Sequence, residues 1–133
     1  METFVYLCSE NSAIMEQKPK FKIIYSDDVI SFLNGLESKV RVKIMYNINK
    51  SKFVMDKNIF KKLDDTDGLW EFRTLYNGIQ YRIFAFWDTE EEAIVLTTHG
   101  IIKKTQKTPQ KEIEKAEAIR KDYFNSKNKK AWQ

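Results

Sequence analysis

The chain is poor in the residues that staple, kink or span. A single cysteine, Cys8, can form no internal disulfide and leaves no thiolate framework for a metal. A single histidine, His99, leaves too few imidazoles for a His-ligated zinc. Four glycines and two prolines in 133 residues exclude a collagenous, linker-like or turn-rich all-β chain. The longest apolar runs, Phe4–Cys8 and Ile83–Trp87, are five residues each, against the roughly 20 that a membrane helix needs. Glu2 and the lack of a basic n-region argue against a signal peptide. There is no internal repeat, and no GxGxxG, P-loop, HExxH, GxSxG or zinc-ligand spacing. The expectation is a cytoplasmic protein with no metal or cofactor, whose chemistry comes from a dispersed set of side chains.

Large side chains are plentiful: nine Phe, six Tyr and three Trp supply a core and exclude wholesale disorder. At about 100–200 residues per domain, the length is one domain. It divides into an N-terminal extension (1–19), a folded domain (20–124) and a Lys-rich tail (125–133). Met15 would serve as a start, so residues 1–14 are expected to lie outside the common domain. The net charge of +4 is unevenly spread. Residues 1–99 hold 13 Lys/Arg against 15 Asp/Glu, and residues 100–133 hold 10 against 4. A basic last quarter suits a polyanionic or acidic partner, with Lys127, Lys129 and Lys130 read as a solvated tail.

Phe21–Tyr25 reads as a short first strand. Ser26 followed by Asp27 and Asp28 is a helix start, since the hydroxyl accepts from orphan N–H groups and acids suit the positive end of the macrodipole. Val29, Phe32, Leu33 and Leu36 recur at helical spacing, and Val40, Ile44 and Ile48 form a second stripe beside Met45. The two form a helical hairpin, with Lys39, Arg41, Lys43, Lys50 and Lys52 on its wet side. Lys57–Asp67 reads as a polar connection anchored by Ile59, Phe60 and Leu63. Three strands follow, Leu69–Tyr76, Ile79–Asp88 and Ala93–His99, and then a helix opened by Thr108 as N-cap and Pro109 at its first position. The order β-α-α-β-β-β-α is an α+β domain with a twisted, mainly antiparallel sheet of about four strands.

Asn77-Gly78 between alternating apolar segments specifies a two-residue hairpin loop and fixes a register. Tyr76 then faces Ile79, Arg73 faces Arg82, and Trp70 faces Ala85. One face carries Trp70, Phe72, Tyr81, Ile83 and Ala85 and is expected to be buried under the helices. The other carries Glu71, Arg73, Arg82 and Phe84. Two arginines directly opposite each other destabilise a sheet. Either Glu71 neutralises them diagonally in a surface salt-bridge cluster, or the pair grips phosphate in a concave cationic patch. Lys103, Lys104 and Lys107 add ammonium groups between the last strand and the final helix. His99 either closes the last strand or, with an ordinary pKa of about 6.5, moves a proton. Tyr123 and Trp87 read as packing residues.

Three strings carry a resemblance. They are Leu69-Trp70-Glu71-Phe72-Arg73, then Tyr76-Asn77-Gly78 with Tyr81-Arg82-Ile83-Phe84-Ala85-Phe86, then His99-Gly100-Ile101-Ile102-Lys103-Lys104-Thr105-Gln106-Lys107-Thr108-Pro109. In this order and spacing they resemble the RelE/ParE superfamily, and within it the HigB-like, phage-derived branch of type II toxins. The resemblance spans about Phe21 to Phe124. It implies a RelE-like fold and cleavage of messenger RNA in the ribosomal A site. It also implies a cognate antitoxin, often a helix-turn-helix DNA-binding protein, with which the toxin represses its own operon. Arg82 matches the phosphate-gripping arginine of the family, Arg73 the arginine ending the preceding strand, and Lys103 or Lys104 the basic residue after the last strand. Where RelE-type members carry lysines before Arg73, this chain has Leu69 and Glu71, and their C-terminal tyrosine has no sure counterpart here.

The implied reaction is metal-independent attack of a 2′-OH on its own 3′-phosphate. Arg73 and Arg82 would neutralise the phosphate, Lys103, Lys104 and Lys107 would bind flanking backbone, and Glu71 or His99 would be the base. Two alternatives stand beside it: a non-catalytic ParE-like inhibitor of gyrase, and an inactive relative that binds only its antitoxin.

Overall fold

The computed structural model describes residues 17–103 and 107–132, with side chains as far as Lys127 at the C-terminal end. Residues 1–16 of the expected extension, Cys8 and Met15 among them, lie outside the described residues. In chain order the elements are β1 (Lys22–Ile24), α1 (Asp27–Asn34), α2 (Ser38–Ser51), β2 (Phe60–Lys62), β3 (Leu69–Tyr76), β4 (Ile79–Trp87), β5 (Ile94–Lys103) and α3 (Gln110–Trp132). The sheet has five strands in the order β1-β5-β4-β3-β2. β1 runs parallel to β5, and the other neighbours are antiparallel. The α+β class and the helix order match the sequence reading, and the strand count rises by one. The extra strand, β2, is three residues long, too short to show a period among its polar neighbours.

Local chemistry sets each element. Ser26 Oγ accepts from the Val29 N–H at 3.1 Å, capping α1, and donates to Thr98 O at 2.9 Å, so the helix start is tied to β5. Arg41, expected to be solvated, instead donates to Leu33 O and Leu36 O, both at 3.2 Å, and covers the carbonyls at the end of α1. Asn77 and Gly78 both have positive φ, 51° and 76°, as a type I′ turn requires. Every hairpin pair expected from that turn is found, from Tyr76↔Ile79 to Trp70↔Ala85.

The sheet is covered on both faces. The helical hairpin lays Val29, Leu33, Val40, Ile44 and Ile48 on Phe21, Phe60, Phe72, Tyr81, Ile83, Ala85 and Val95. Each fully buried aliphatic contributes roughly 1.5–3 kcal/mol. On the other face, α3 brings Ala116, Ile113, Tyr123 and Phe124 against Leu69, Phe84, Phe86 and Leu96. Trp87 packs edge-on to Phe21 and Trp70, as expected of a packing residue.

Three expectations are corrected. β5 does not end at His99 but runs to Lys103, because a register shift between Ile83 and Ala85 lets Gly100 pair with Ile83 and carries the ladder on to Gln80↔Lys103. Helix α3 begins one residue later than expected: Ile113 N–H donates to Pro109 O at 3.3 Å, so the cap position falls to Pro109 and the Thr108 hydroxyl is turned elsewhere. Lys127 is not solvated tail. Its ammonium lies 2.7 Å from Asp88 Oδ2, which also accepts from the Tyr123 hydroxyl at 2.7 Å. Asp88 Oδ1 takes the Glu90 and Glu91 N–H groups, at 2.8 and 3.0 Å. Burial alone would raise the Asp88 carboxyl, but the hydrogen bonds from Lys127, Tyr123 and those two N–H groups hold it well below the ordinary carboxylate range.

Gly100 has a packing reason rather than a conformational one. A Cβ built there would sit 2.4 Å from Cδ2 of Phe32, whose ring lies on the strand. Gly100→Ala should therefore lower unfolding free energy by about 1–3 kcal/mol through overpacking. Adding Phe32→Leu should recover part of that loss, and urea denaturation of the single and double variants measures both.

Candidate functional site

The hairpin register puts Arg73 of β3 directly opposite Arg82 of β4, and the continued ladder puts Lys103 of β5 opposite Gln80. All three, with Glu71, lie on the α3 face of the sheet. Glu71 Oε1 stands 3.5 Å from Arg73 Nε and 3.4 Å from Arg82 Nε, so one carboxylate answers the like-charge pair diagonally. This is no surface cluster: Glu71 is 3% exposed and Arg82 2%, while the Arg73 side chain reaches the surface at 24%. Buried guanidiniums need a partner, since an uncompensated charge in low dielectric costs several kcal/mol.

Secondary contacts aim the groups. Arg82 donates to Gln80 Oε1 and, at 3.4 Å, to Tyr81 O. Arg73 donates to Lys57 O at 3.4 Å. The Thr108 hydroxyl, released from capping, donates to Glu71 Oε2 at 3.4 Å and accepts from Lys103 Nζ at 3.2 Å. The start of α3 is thereby fastened to the site. Both Nε atoms are buried at ion-pair distance from Glu71 yet make no hydrogen bond, so the carboxylate does not saturate the guanidiniums. Between Asn58, Arg73, Thr74, Leu75, Gln80 and Arg82 an open cavity of about 270 Å³ meets the two forks.

The electrostatics favour an incoming anion. Burial lowers the Arg82 pKa, Glu71 opposes the shift and Arg73 adds to it. Burial also lowers that of Lys103, reinforced by Arg82 and Arg73 and opposed by Glu71. A phosphate oxygen placed in the cavity would relieve both desolvation and mutual repulsion.

His99 stands apart from this group. It lies within β5 and stacks on Phe84, with ring centroids 4.8 Å apart. Its Nε2 is 3.1 Å from Glu112 Oε1 of α3, and its Nδ1 is 3.0 Å from Thr98 Oγ1. Phe84 is the cross-strand partner of Glu71, so its ring lies between the histidine and the arginine cluster. Tyr123 is a packing residue whose hydroxyl is held by Asp88. Lys104 lies outside the described residues, and Lys107 is exposed on the approach to α3. Among the described residues no three His, Cys, Asp or Glu side chains converge.

Sequence reasoning missed Lys61, Gln80, Asn58 and Thr108 as site residues. Lys61 is the register partner of Glu71 on β2 and becomes visible only once that strand is known. Gln80 follows from the same hairpin alternation that exposed Arg82. Thr108 was masked by its plausibility as a cap.

A mainly antiparallel sheet with a helical hairpin on one face, a C-terminal helix on the other and arginines facing across a hairpin is the RelE fold. A free-state form of the E. coli toxin RelE, with two arginines replaced by alanine, matches it with a TM-score of 0.54. That match has 14% identity and covers 77% of this chain and 98% of that one. By sequence, residues 31–121 match the family described as phage-derived protein Gp49-like (DUF891), and the chain belongs to that family. No curated protein matches the chain. Among the described residues no helix is long and apolar enough to cross a membrane.

Burial, then the Lys115 charge, push the His99 imidazole below its ordinary value, with Glu112 pulling the other way. The unfolded chain therefore protonates more readily than the native one. Stability should be full above the unfolded value of about 6.5 and fall as pH drops through it toward the lower native value. Urea midpoints measured from about pH 7 to pH 5 should decline, and His99→Gln should flatten that decline.

Proposed function

We propose that the chain is the toxin of a type II toxin–antitoxin system and inhibits translation in the cytoplasm by cleaving messenger RNA on the ribosome. The observation that carries this reading is the Arg73–Arg82 pair, answered among the described residues by one carboxylate and lining an open cavity of about 270 Å³. In the reaction, a ribose 2′-oxygen gives up its proton to a base and attacks the adjacent phosphorus, the bond to the 5′-oxygen breaks as that oxygen takes a proton from water, and a 2′,3′-cyclic phosphate and a 5′-hydroxyl remain. Charge builds on the non-bridging oxygens, where Arg73 and Arg82 present planar, always-charged forks. Lys103 raises the local potential from β5, and Lys104 and Lys107 bind flanking backbone. Glu71 pairs with the two guanidiniums and is the proposed acceptor of the 2′-OH proton. His99, engaged by Glu112 beyond Phe84, is the more remote candidate.

A cognate antitoxin is the expected partner, a helix-turn-helix protein in the branch this sequence resembles, and operator DNA would be reached only through that complex. Support comes from large apolar side chains exposed on the helical hairpin, among them Ile30 at 45%, Val42 at 67% and Tyr46 at 60%, which a protein partner would cover.

The deciding experiment maps cut sites on an end-labelled message in a defined translation reaction with and without ribosomes. Cuts at A-site codons only when ribosomes are present are expected. Cuts on naked RNA would indicate an autonomous nuclease, and arrest of cells without cuts would indicate a protein-binding inhibitor of the gyrase-directed kind. Arg73→Ala should reduce cleavage by about 10²–10³-fold, the usual cost of a lost transition-state donor. Arg82→Lys, which keeps the charge that Glu71 needs and removes the fork, should fall in the same range. Both variants should retain antitoxin binding and a native circular dichroism spectrum.

A further inference from the structure

Gln80 is a neutral group set among the cations of the arginine cavity. It stands two residues before Arg82 on β4, so both side chains share the α3 face of the sheet. It pairs across the strands with Leu75 on one side and Lys103 on the other. Its Oε1 accepts from Arg82 Nη2, while Arg82 Nη1 donates to Tyr81 O at 3.4 Å and Nε faces Glu71. The buried fork is thus held at two places by different chemistry, a carboxylate at Nε and an amide at Nη2. The carboxylate compensates charge. The amide fixes direction and compensates none.

That contact also decides which way the amide faces. A guanidinium has donors only, so the amide turns its oxygen to Arg82 and its NH2 group, with two donors, is directed elsewhere. Among the described residues that NH2 group has no hydrogen-bond partner. Gln80 lines the cavity of about 270 Å³ together with Arg73 and Arg82. On the same wall the Thr74 hydroxyl already accepts from Asn47 Nδ2 at 3.1 Å, and Leu75, 63% exposed, is apolar. A donor without an acceptor, placed beside two cations, is completed by the oxygen of an anion.

We infer that Gln80 is a further contact of that anion: its carbonyl aims Arg82, and its NH2 group donates to a non-bridging oxygen of the phosphate that the two arginines neutralise. The inference rests on the ribonuclease reading above and adds a neutral donor to the charged groups of the site. Two guanidiniums and one carboxylate leave the cluster a surplus of one positive charge. A carboxylate at position 80 would hold Arg82 as firmly but cancel that surplus, and a further ammonium would repel both arginines. An amide does neither, and its donor gains most as charge builds on the oxygen it touches.

The test uses the full chain in the ribosome-programmed cleavage reaction. Gln80→Met keeps the length of the side chain and removes both polar atoms. Gln80→Glu keeps an acceptor for Arg82 and replaces the donor with a second carboxylate oxygen. Each should slow the maximal cleavage rate by about 10²-fold, with a much smaller change in the half-saturating concentration of programmed ribosomes. A second readout, which a merely structural role would not move, uses messages with sulfur in place of each non-bridging oxygen at the cut. The slowing caused by sulfur at one of the two positions should shrink by about ten-fold in Gln80→Met, the scale of one hydrogen bond to a charged oxygen. Sulfur at the other position should slow variant and parent alike. A parental cleavage rate in either variant overturns the inference and leaves the ribonuclease reading intact. So do slow variants in which both sulfur effects equal those of the parent. A parental chain that cuts no message overturns that reading and the inference with it.

Discussion

The whole α3 face of this sheet is organised by one carboxylate. Glu71 sits between two guanidiniums that the hairpin register forces into opposition, and without it the pair would repel in a region where water cannot screen them. Burying Glu71 and Arg82 beside a half-buried Arg73 is costly, and hydrophobic residues of similar volume would suit folding at least as well. The cluster is instead kept incompletely satisfied, with both Nε atoms lacking hydrogen bonds and the forks meeting a cavity. Such a cost has no return in folding, which is why the proposed role of the cluster is the binding of an anion.

The two faces of the sheet divide the labour. The helical hairpin and the aromatic cluster around Phe60, Phe72 and Phe21 supply a continuous apolar layer that fixes β3 and β4 from behind. The α3 face mixes a small apolar cluster around Phe84 and Phe86 with the charged residues above it. Rigid strands aim the arginines from below, and Thr108 fastens the start of α3 over Glu71 and Lys103. Site groups placed on strands are positioned more closely than groups on loops. That suits a chemistry in which oriented charge does most of the work.

How much of this was legible in the sequence varies with the range of the interactions. Asn77-Gly78 is a local signal, and from it came the register, the Arg73–Arg82 opposition, the two-faced hairpin and the diagonal place of Glu71. Elements defined by distant partners were harder to read. Phe60–Lys62 becomes a strand only because β3 offers it an edge, and Lys61 was lost with it. The sequence reading ends the last strand at His99, whereas Gly100 pairs with Ile83 inside β5 and leaves room for the Phe32 ring. Lys103 consequently moved from a loop to a buried position on β5. Thr108 and Lys127 each carried a plausible local role, as cap and as tail, that a contact far away in sequence overrode. The resemblance of the three strings located the fold. Burial, which decides what each residue can do, came only from the packing.

The clamp at Asp88 bears on the site from the far end of the last helix. Lys127 and Tyr123 anchor α3 to the turn after β4, some 19 residues beyond Thr108, which at 1.5 Å per residue is about 28 Å along the helix. A rod pinned at one end and fastened at the other transmits small rotations along its length. The turn between β4 and β5 and the Thr108 hydroxyl beside Glu71 are therefore joined through a single helix. The acidic turn after β4 and the hydroxyl that touches Glu71 are thus held by one and the same helix.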